Sequence, residues 1–199
     1  YFGERGRKDN DNYAYDTCQY SREEIVRIAK KGFEYAQKRS KKLCCVDKAN
    51  VFKSMAFFRS VFDEVASDFP QVQKDYAYVD ALSMYLIQKP QFYDVLVAEN
   101  MYGDIISDLA AGLIGGLGMA PSADIGSDVA VFQPSHGTAP DIANKGLANP
   151  IAMVLSAALM LRWLASQYND HDAHASAITI ETAVKKVVSD SEMATKDLG

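Results

Sequence analysis

Residues 93–108 read YDVLVAENMYGDIISD, and this stretch decides the fold. Apart from Asp94, its first six residues form an apolar run, which is typical of a buried parallel strand. The run stops at Glu99 and Asn100, and a helical pattern begins directly afterwards. Ligand sites in α/β proteins favour such carboxyl ends of strands, so this junction is a candidate site.

Asp104 and Asp108 lie four residues apart in the helical part of this stretch. On a helix, both carboxylates point from one face, one turn apart. Carboxylate oxygens suit a hard divalent cation, and Mg²⁺ typically takes one or two of them together with substrate oxygens. Asp80, in YVDALSM, is a candidate for a third ligand. The spacing alone also fits a solvated helix face with a capping acid, so the neighbouring motifs must decide.

Strand-like runs and amphipathic helical patterns alternate on both sides of this stretch. Ser21 and Glu24 form a capping box at the start of the first helix. The predicted strands are 43–46, 73–79, 93–98 and 129–132, and the predicted helices are 22–38, 55–65, 81–88, 151–166 and 173–189. The alternation predicts an α/β fold with a parallel or mixed sheet flanked by helices. The glycines of 112–118 match neither a dinucleotide nor a phosphate loop, and they indicate close backbone packing.

Composition excludes several classes of protein. The 199 residues are 48% hydrophobic, which is enough for the core of one or two domains. Apart from the short basic run 38–42, the 21 basic residues are dispersed among 26 acidic ones, which argues against a nucleic-acid-binding surface. The apolar stretch 151–164 contains Ser156 and Arg162, so it predicts a buried helix and no membrane span. Three cysteines without metal-type spacing and no visible signal peptide predict a cytoplasmic protein.

The ends of the chain predict a fragment of a larger protein. The chain has no initiator Met and opens on YFGE, which resembles the end of a strand. It closes on DLG, where a further strand is expected. We therefore expect a fold that is incomplete at its N-terminus.

Four motifs together resemble the β-decarboxylating dehydrogenases, the family of isocitrate, isopropylmalate, homoisocitrate and tartrate dehydrogenases. They are YFGE (1–4), DKAN (47–50), the acidic pair of segments YVDALSM (78–84) and NMYGDIISD (100–108), and HGTAPDIA with ANP (136–150). The resemblance covers the whole chain and the C-terminal portion of the family. It implies the isocitrate/isopropylmalate dehydrogenase fold, with 1–114 in the substrate and dimerisation domain and 115–199 in the nucleotide-binding domain.

The resemblance assigns catalytic roles to single residues. Such enzymes oxidise a 2-hydroxy acid by hydride transfer to a nicotinamide cofactor and then release CO₂. Asp80, Asp104 and Asp108 match the ligands of Mg²⁺ or Mn²⁺, which assists both steps. Lys48 matches the residue that helps to remove the hydroxyl proton, and Tyr1 matches the acid that protonates the enol carbon. Without these motifs, a lysine is usually a surface charge and a tyrosine at a strand end usually packs.

The resemblance also identifies a cofactor loop and a shared site. His136, Gly137, Ala139, Asp141 and Asn149 match positions that hold the adenosine part of the cofactor. An aspartate accepts hydrogen bonds from the ribose and repels a 2′-phosphate, so NAD is favoured over NADP. Asn149 before Pro150 also fits a helix N-cap. Lys48 and Asp80 serve the partner subunit's site in this family, which implies a homodimer with shared active sites.

The substrate is implied less narrowly than the reaction. Val51 matches a position that contacts the isopropyl group in isopropylmalate enzymes, and 3-isopropylmalate in leucine biosynthesis is the favoured substrate. Arg5 to Arg7 and Gln133 depart from the usual family pattern, so tartrate, malate, homoisocitrate and isocitrate remain alternatives. A hypothesis of another class is a non-catalytic, nucleotide-binding or regulatory subunit.

Overall fold

The computed structural model describes residues 3–189 together with residues 195 and 197, and all structural statements below refer to these residues. The strands are β1 (Arg5–Lys8), β2 (Tyr13–Asp16), β3 (Lys42–Asp47), β4 (Gln73–Tyr78), β5 (Val95–Ala98), β6 (Pro121–Ile125) and β7 (Ala130–Pro134). The helices are α1 (Arg22–Gln37), α2 (Lys53–Ala66), α3 (Val79–Gln88), α4 (Asn100–Leu113), α5 (Ile151–Tyr168) and α6 (His171–Val188).

The chain forms two compact units, Tyr1–Ser107 and Asp108–Gly199. The first unit contains a parallel sheet in the order β4-β3-β5, with β3 in the middle. Asp47 pairs with Tyr78 and Val46 pairs with Ala98, so the carboxyl ends of the three strands reach the same edge. This register places Lys48, Asp80 and Glu99 just beyond that edge. The predicted α/β fold with a parallel sheet flanked by helices is confirmed.

The core of the first unit lies where α1 and α2 pack on β3 and β5. Phe33 of α1 stacks on Phe62 and Phe69, with 5.0 Å between ring centroids in each pair. Such aromatic pairs add to the free energy gained by burying apolar area. Cys44 and Cys45 are buried in β3, and burial raises the pKa of the Cys44 thiol to about 12. Both cysteines therefore act as small apolar side chains, as their sequence context predicts.

Two antiparallel hairpins differ from the predicted elements. β1 pairs with β2, and β6 pairs with β7, whereas only the strand at 129–132 was expected in this second region. The glycine-rich segment mainly ends α4, because Gly115 and Gly116 have φ values of 110° and 105°. Gly118 is the position where close packing applies, since a Cβ there would lie 3.0 Å from Cβ of Asn149.

α5 is less buried than its apolar sequence predicts. α5 contacts α6 and the β6-β7 hairpin, and its buried residues are Ala152, Ser156 and Ala158. Met153, Val154 and Met160 are nevertheless exposed, because α6 and the hairpin leave these positions uncovered. By length and composition alone, α5 is also apolar enough to cross a membrane, a criterion that core helices of soluble proteins meet as well.

Asp94 gives the first unit a predicted sensitivity to acid. Arg39 Nε donates to its carboxylate at 2.7 Å, Ser40 adds further hydrogen bonds, and together they lower the pKa of Asp94 to about 2. An aspartate in an unfolded chain has a pKa of about 3.9, so this contribution to stability exists above that pH and disappears as the pH falls towards 2. Asp94→Asn should therefore lower the free energy of unfolding at neutral pH, and the difference from wild type should shrink below about pH 4.

Urea unfolding at a series of pH values measures this difference. Asp68→Asn is the matched control, because Asp68 is exposed and its carboxylate has no hydrogen-bond partner among residues 3–189. A difference between Asp94→Asn and wild type that stays constant down to about pH 3 would contradict the prediction.

Candidate active site

Lys48 and Asp80 form an ion pair beyond the carboxyl edge of the parallel sheet. Lys48 directly follows β3, and Asp80 lies in the first turn of α3, directly after β4. Because β3 and β4 are adjacent and in register, Lys48 Nζ lies 2.6 Å from Asp80 Oδ1. The Lys48 side chain is 21% exposed and that of Asp80 is 66% exposed. The hydrogen bond from Lys48 lowers the pKa of Asp80, and the Asp80 carboxylate faces solvent.

Asp104 and Asp108 lie one turn apart on α4, as predicted, and both are exposed. Neither carboxylate accepts a hydrogen bond from any side chain or backbone group in the described part of the chain. Two like charges one turn apart repel each other slightly, so an added cation would stabilise them. Within residues 3–189, no three His, Cys, Asp or Glu side chains lie close enough to bind one metal ion. One chain therefore offers two carboxylates on α4, and Asp80 is held separately by Lys48.

The start of α4 is fixed by Glu99, a residue whose role the sequence did not reveal. Its carboxylate is 3% exposed and accepts hydrogen bonds from the backbone N–H groups of Met101 at 3.0 Å and Tyr102 at 2.7 Å. The hydroxyl of Tyr20, which precedes α1, also donates to Glu99, and burial together with Glu99 raises the pKa of Tyr20. A negative charge at a helix N-terminus is favourable, so Glu99 holds in place the helix that carries Asp104.

Asp47 and Arg59 form a second arrangement that the sequence did not reveal. Asp47 is the last residue of β3 and is 0% exposed. Arg59, on α2, donates from Nε to Oδ2 at 2.7 Å and from Nη2 to Oδ1 at 2.8 Å. The backbone N–H of Ala49 donates to the same Oδ1 at 2.8 Å. Asp47 thus links α2 to the turn that contains Lys48.

One other predicted residue, Val51, lies near this edge. Val51 is 60% exposed in the turn after Lys48, and its backbone N–H donates to the Lys48 carbonyl at 2.9 Å. Its isopropyl side chain is therefore free to contact a ligand. Tyr1, the predicted acid, lies outside the described residues.

The predicted cofactor residues lie in the connection between β7 and α5. Ala139 has a left-handed backbone with φ 43°, and a single 3₁₀ turn, Pro140–Ile142, places Asp141 in solvent. His136 Nδ1 lies 2.8 Å from the carbonyl oxygen of Gly137. Asp141 has no hydrogen-bond partner within residues 3–189, so its carboxylate is available to accept hydrogen bonds from ribose hydroxyls.

Asn149 takes a capping role one residue away from the one expected. α5 begins at Ile151 rather than at Pro150, and Asn149 Oδ1 accepts a hydrogen bond from the Ile151 N–H at 2.9 Å. Asn149 Nδ2 donates to Asp197 at 2.9 Å. The Asn149 side chain therefore connects the start of α5 to Asp197.

The chain matches the family described as isocitrate/isopropylmalate dehydrogenase over residues 1–199. It is 50% identical over 188 residues to the 3-isopropylmalate dehydrogenase of Desulfitobacterium hafniense (strain Y51), covering 94% of this chain and 52% of that protein. It is 48% identical over 203 residues to that of Xanthomonas oryzae pv. oryzae (strain MAFF 311018), covering 100% of this chain and 55% of that protein.

A solved structure agrees with these sequence relatives. The isocitrate dehydrogenase from Methylococcus capsulatus superposes with a TM-score of 0.89 at 41% identity, covering 99% of this chain and 57% of that chain. The chain spans about half the length of the curated relatives it matches. The chain belongs to the isocitrate/isopropylmalate dehydrogenase family.

Proposed function

We propose that the protein carrying this chain is an NAD-dependent 3-isopropylmalate dehydrogenase that oxidises its 2-hydroxy-acid substrate and releases CO₂. The observation that carries the proposal is the Lys48–Asp80 pair at the carboxyl edge of the sheet, together with the two free carboxylates of α4. The relatives from Desulfitobacterium and Xanthomonas are named for this activity, at 50% and 48% identity. A role in leucine biosynthesis follows from the proposed substrate, and the free cysteines Cys18, Cys44 and Cys45 fit a reducing, cytoplasmic location.

Asp104 and Asp108 would hold Mg²⁺ or Mn²⁺, and Asp80 would complete the site from the partner subunit. When bound, the ion supplies positive charge that favours loss of the hydroxyl proton and stabilises the negative charge left when CO₂ departs. Exposed carboxylates without protein partners suit this hard cation.

Lys48 would accept the substrate's hydroxyl proton at Nζ after its ammonium has released a proton to solvent. Asp80, 2.6 Å away, orients Nζ and keeps it at the edge of the sheet. Tyr1 would donate the proton that the enol carbon receives after CO₂ leaves. Both roles are general acid–base steps, which require the donor or acceptor within hydrogen-bond reach of the reacting atom.

The loop between β7 and α5 would bind NAD. NAD supplies the hydride acceptor when bound. His136, Gly137, Ala139 and Asn149 would surround the adenosine part, and Asp141 would accept hydrogen bonds from the ribose hydroxyls. A 2′-phosphate would meet the charge of Asp141, so we propose NAD in preference to NADP. In this arrangement 115–199 belongs to the nucleotide-binding domain and 1–114 to the substrate and dimerisation domain.

A homodimer with shared sites is part of the proposal. Exposed apolar side chains line α3 and the first half of α4, namely Met84, Ile87, Met101 and Ile105. Apolar side chains exposed on neighbouring turns of helices are typical of surfaces that bury against another chain. Lys48 and Asp80 would then reach the partner's Asp104 and Asp108.

Isocitrate is the second candidate substrate, because the solved relative from Methylococcus capsulatus is an isocitrate dehydrogenase at 41% identity. The two substrates differ in the substituent on C3 (the γ-substituent), which is a carboxymethyl group in isocitrate and an isopropyl group in isopropylmalate. The exposed isopropyl side chain of Val51 favours an apolar γ-substituent.

The deciding experiment is NADH formation by the longest folded protein that carries this sequence, with Mg²⁺ or Mn²⁺ present. Isopropylmalate, isocitrate, homoisocitrate, tartrate and malate are compared, with NAD and with NADP. We expect turnover of isopropylmalate with NAD. A preference for another acid would keep the reaction and change the substrate. Absence of turnover with every acid would reject the enzyme and favour a non-catalytic nucleotide-binding subunit.

A further inference from the structure

The ion pair between Asp47 and Arg59 takes no part in the proposed chemistry, yet it adjoins the residue that does. Asp47 immediately precedes Lys48 and is 0% exposed. Its two carboxylate oxygens accept hydrogen bonds from Nε and Nη2 of Arg59 at 2.7 and 2.8 Å. One of these oxygens also accepts a hydrogen bond from the Ala49 N–H. The Asp47 carboxylate thus binds the backbone of Ala49 on the other side of Lys48, and this bond restricts the Lys48 backbone.

The ring of Tyr78 lies near both the Arg59 guanidinium and the Lys48 ammonium. Tyr78 is the last residue of β4 and pairs with Asp47 across the sheet. The guanidinium carbon of Arg59 lies 5.4 Å from the centroid of the Tyr78 ring, and Lys48 Nζ lies 5.7 Å from the same centroid. Cations at such distances are attracted by the electron-rich face of the ring. Asp80, two residues after Tyr78, then receives the ammonium group.

A contribution to stability does not by itself explain the ion pair between Asp47 and Arg59. Moving two charges out of water costs much of what their attraction returns, so buried ion pairs often contribute little net stability. A bidentate guanidinium–carboxylate pair does fix relative orientation, because both groups are planar and the two hydrogen bonds are parallel. Here the orientation that it fixes is that of the turn Lys48–Val51 relative to α2.

We propose that Arg59 is a positioning residue for Lys48, acting through Asp47 and the ring of Tyr78. Its catalytic consequence rests on the proposed function, whereas its effect on the position of Lys48 does not. Loss of the guanidinium frees Asp47 to rotate, shifts the Tyr78 ring and lets the Lys48 ammonium leave the position that Asp80 and Tyr78 define.

Nuclear magnetic resonance of the protein with ¹³C-dimethylated lysines tests the position of Lys48 without substrate, metal or cofactor. The Lys48 methyl signal, assigned with Lys48→Arg, should be displaced in the wild-type protein because its ammonium lies beside the Tyr78 ring. In Arg59→Met the displacement should be lost. In Arg59→Lys, which keeps the charge and loses the paired hydrogen bonds, it should be partly lost.

Arg162→Met is the matched control, because Arg162 forms a comparable bidentate pair with Glu181 at 2.6 Å in the other unit. It should leave the Lys48 signal unchanged. In the active protein, Arg59→Met should lower kcat at least about tenfold, with KM for NAD unchanged, since small misplacements of a reacting group cost large factors.

The outcomes separate this proposal from the proposed function. An unchanged Lys48 signal in folded Arg59→Met, or an equal change in Arg162→Met, overturns the positioning role. If Arg59→Met does not fold, Arg59→Lys replaces it, and an unchanged Lys48 signal in folded Arg59→Lys overturns the proposal equally. A wild-type protein that oxidises none of the acids rejects the proposed function, and the Lys48 signals still decide whether Arg59 positions Lys48.

Discussion

Asp104→Asn should remove metal-dependent turnover and leave the fold intact. The Asp104 carboxylate is exposed and accepts no hydrogen bond from residues 3–189, so the amide should change the free energy of unfolding by less than about 0.5 kcal/mol. The substitution halves the negative charge that α4 presents to a cation. Changes even in residues behind metal ligands reduce affinity by about 10- to 100-fold, so loss of a ligand should reduce it at least as much. Titration with Mn²⁺ and the Mn²⁺ dependence of kcat measure the effect.

Ser107→Ala is the matched control on the same helix. Ser107 Oγ donates to the Asp104 carbonyl at 2.9 Å, so this variant changes the exposed surface of α4 while keeping both carboxylates. It should bind Mn²⁺ as wild type does. Wild-type Mn²⁺ affinity in a folded Asp104→Asn protein would rule out α4 as the metal-binding helix. Asp108→Asn should behave like Asp104→Asn, since both side chains lie on one face of the helix.

The elements that the sequence predicted well are those with strong periodicity or continuous burial. The Ser21–Glu24 capping box is present and starts α1 at Arg22, and the buried run LCCV lies inside β3. The β1-β2 hairpin was less visible, because both strands are only four residues long and exposed throughout, so no buried face generates an alternation. The burial of α5 was overestimated, because composition reports how apolar a helix is and not which elements cover it.

In the site, too, features set by neighbouring residues could be predicted, and contacts between residues far apart in the sequence could not. The one-turn spacing of Asp104 and Asp108 is a local property of α4 and could be predicted. The bond between Tyr20 and Glu99 joins residues 79 positions apart, and only the tertiary fold brings them together. Asp47 and Arg59 are nearer in sequence, but their pairing depends on how α2 packs against the end of β3. Charged pairs of this kind leave no periodic signal in a single sequence.

Lys48→Ala should lower turnover by about 10²- to 10⁴-fold, the range typical for loss of a positioned acid or base. The fold should persist, because Asp80 is 66% exposed and a solvent-exposed ion pair contributes little to stability. Binding of NAD should be unchanged, since the proposed cofactor residues lie beyond Ser135. Rapid measurement of NADH formation and equilibrium binding of NAD check both expectations.

Lys48→Arg distinguishes a base from a fixed positive charge. Arginine keeps an ion pair with Asp80 but stays protonated, so it cannot accept the hydroxyl proton. We therefore expect Lys48→Arg to be nearly as inactive as Lys48→Ala. Wild-type turnover in Lys48→Arg would assign Lys48 an electrostatic role and remove it as the base.

Mixing the two defective proteins tests whether each site is built from both chains. If Lys48 acts in the partner's site, a hybrid of Lys48→Ala and Asp104→Asn subunits has one site with both defects and one site with neither. Random reassociation of equal amounts should then restore about a quarter of the wild-type turnover in a two-fold symmetric dimer. If Lys48 and Asp104 of the same chain act together, every site in the mixture contains one defect and no activity returns. Recovery in the mixture thus separates a shared site from one built within a single chain, using two variants that are each inactive alone.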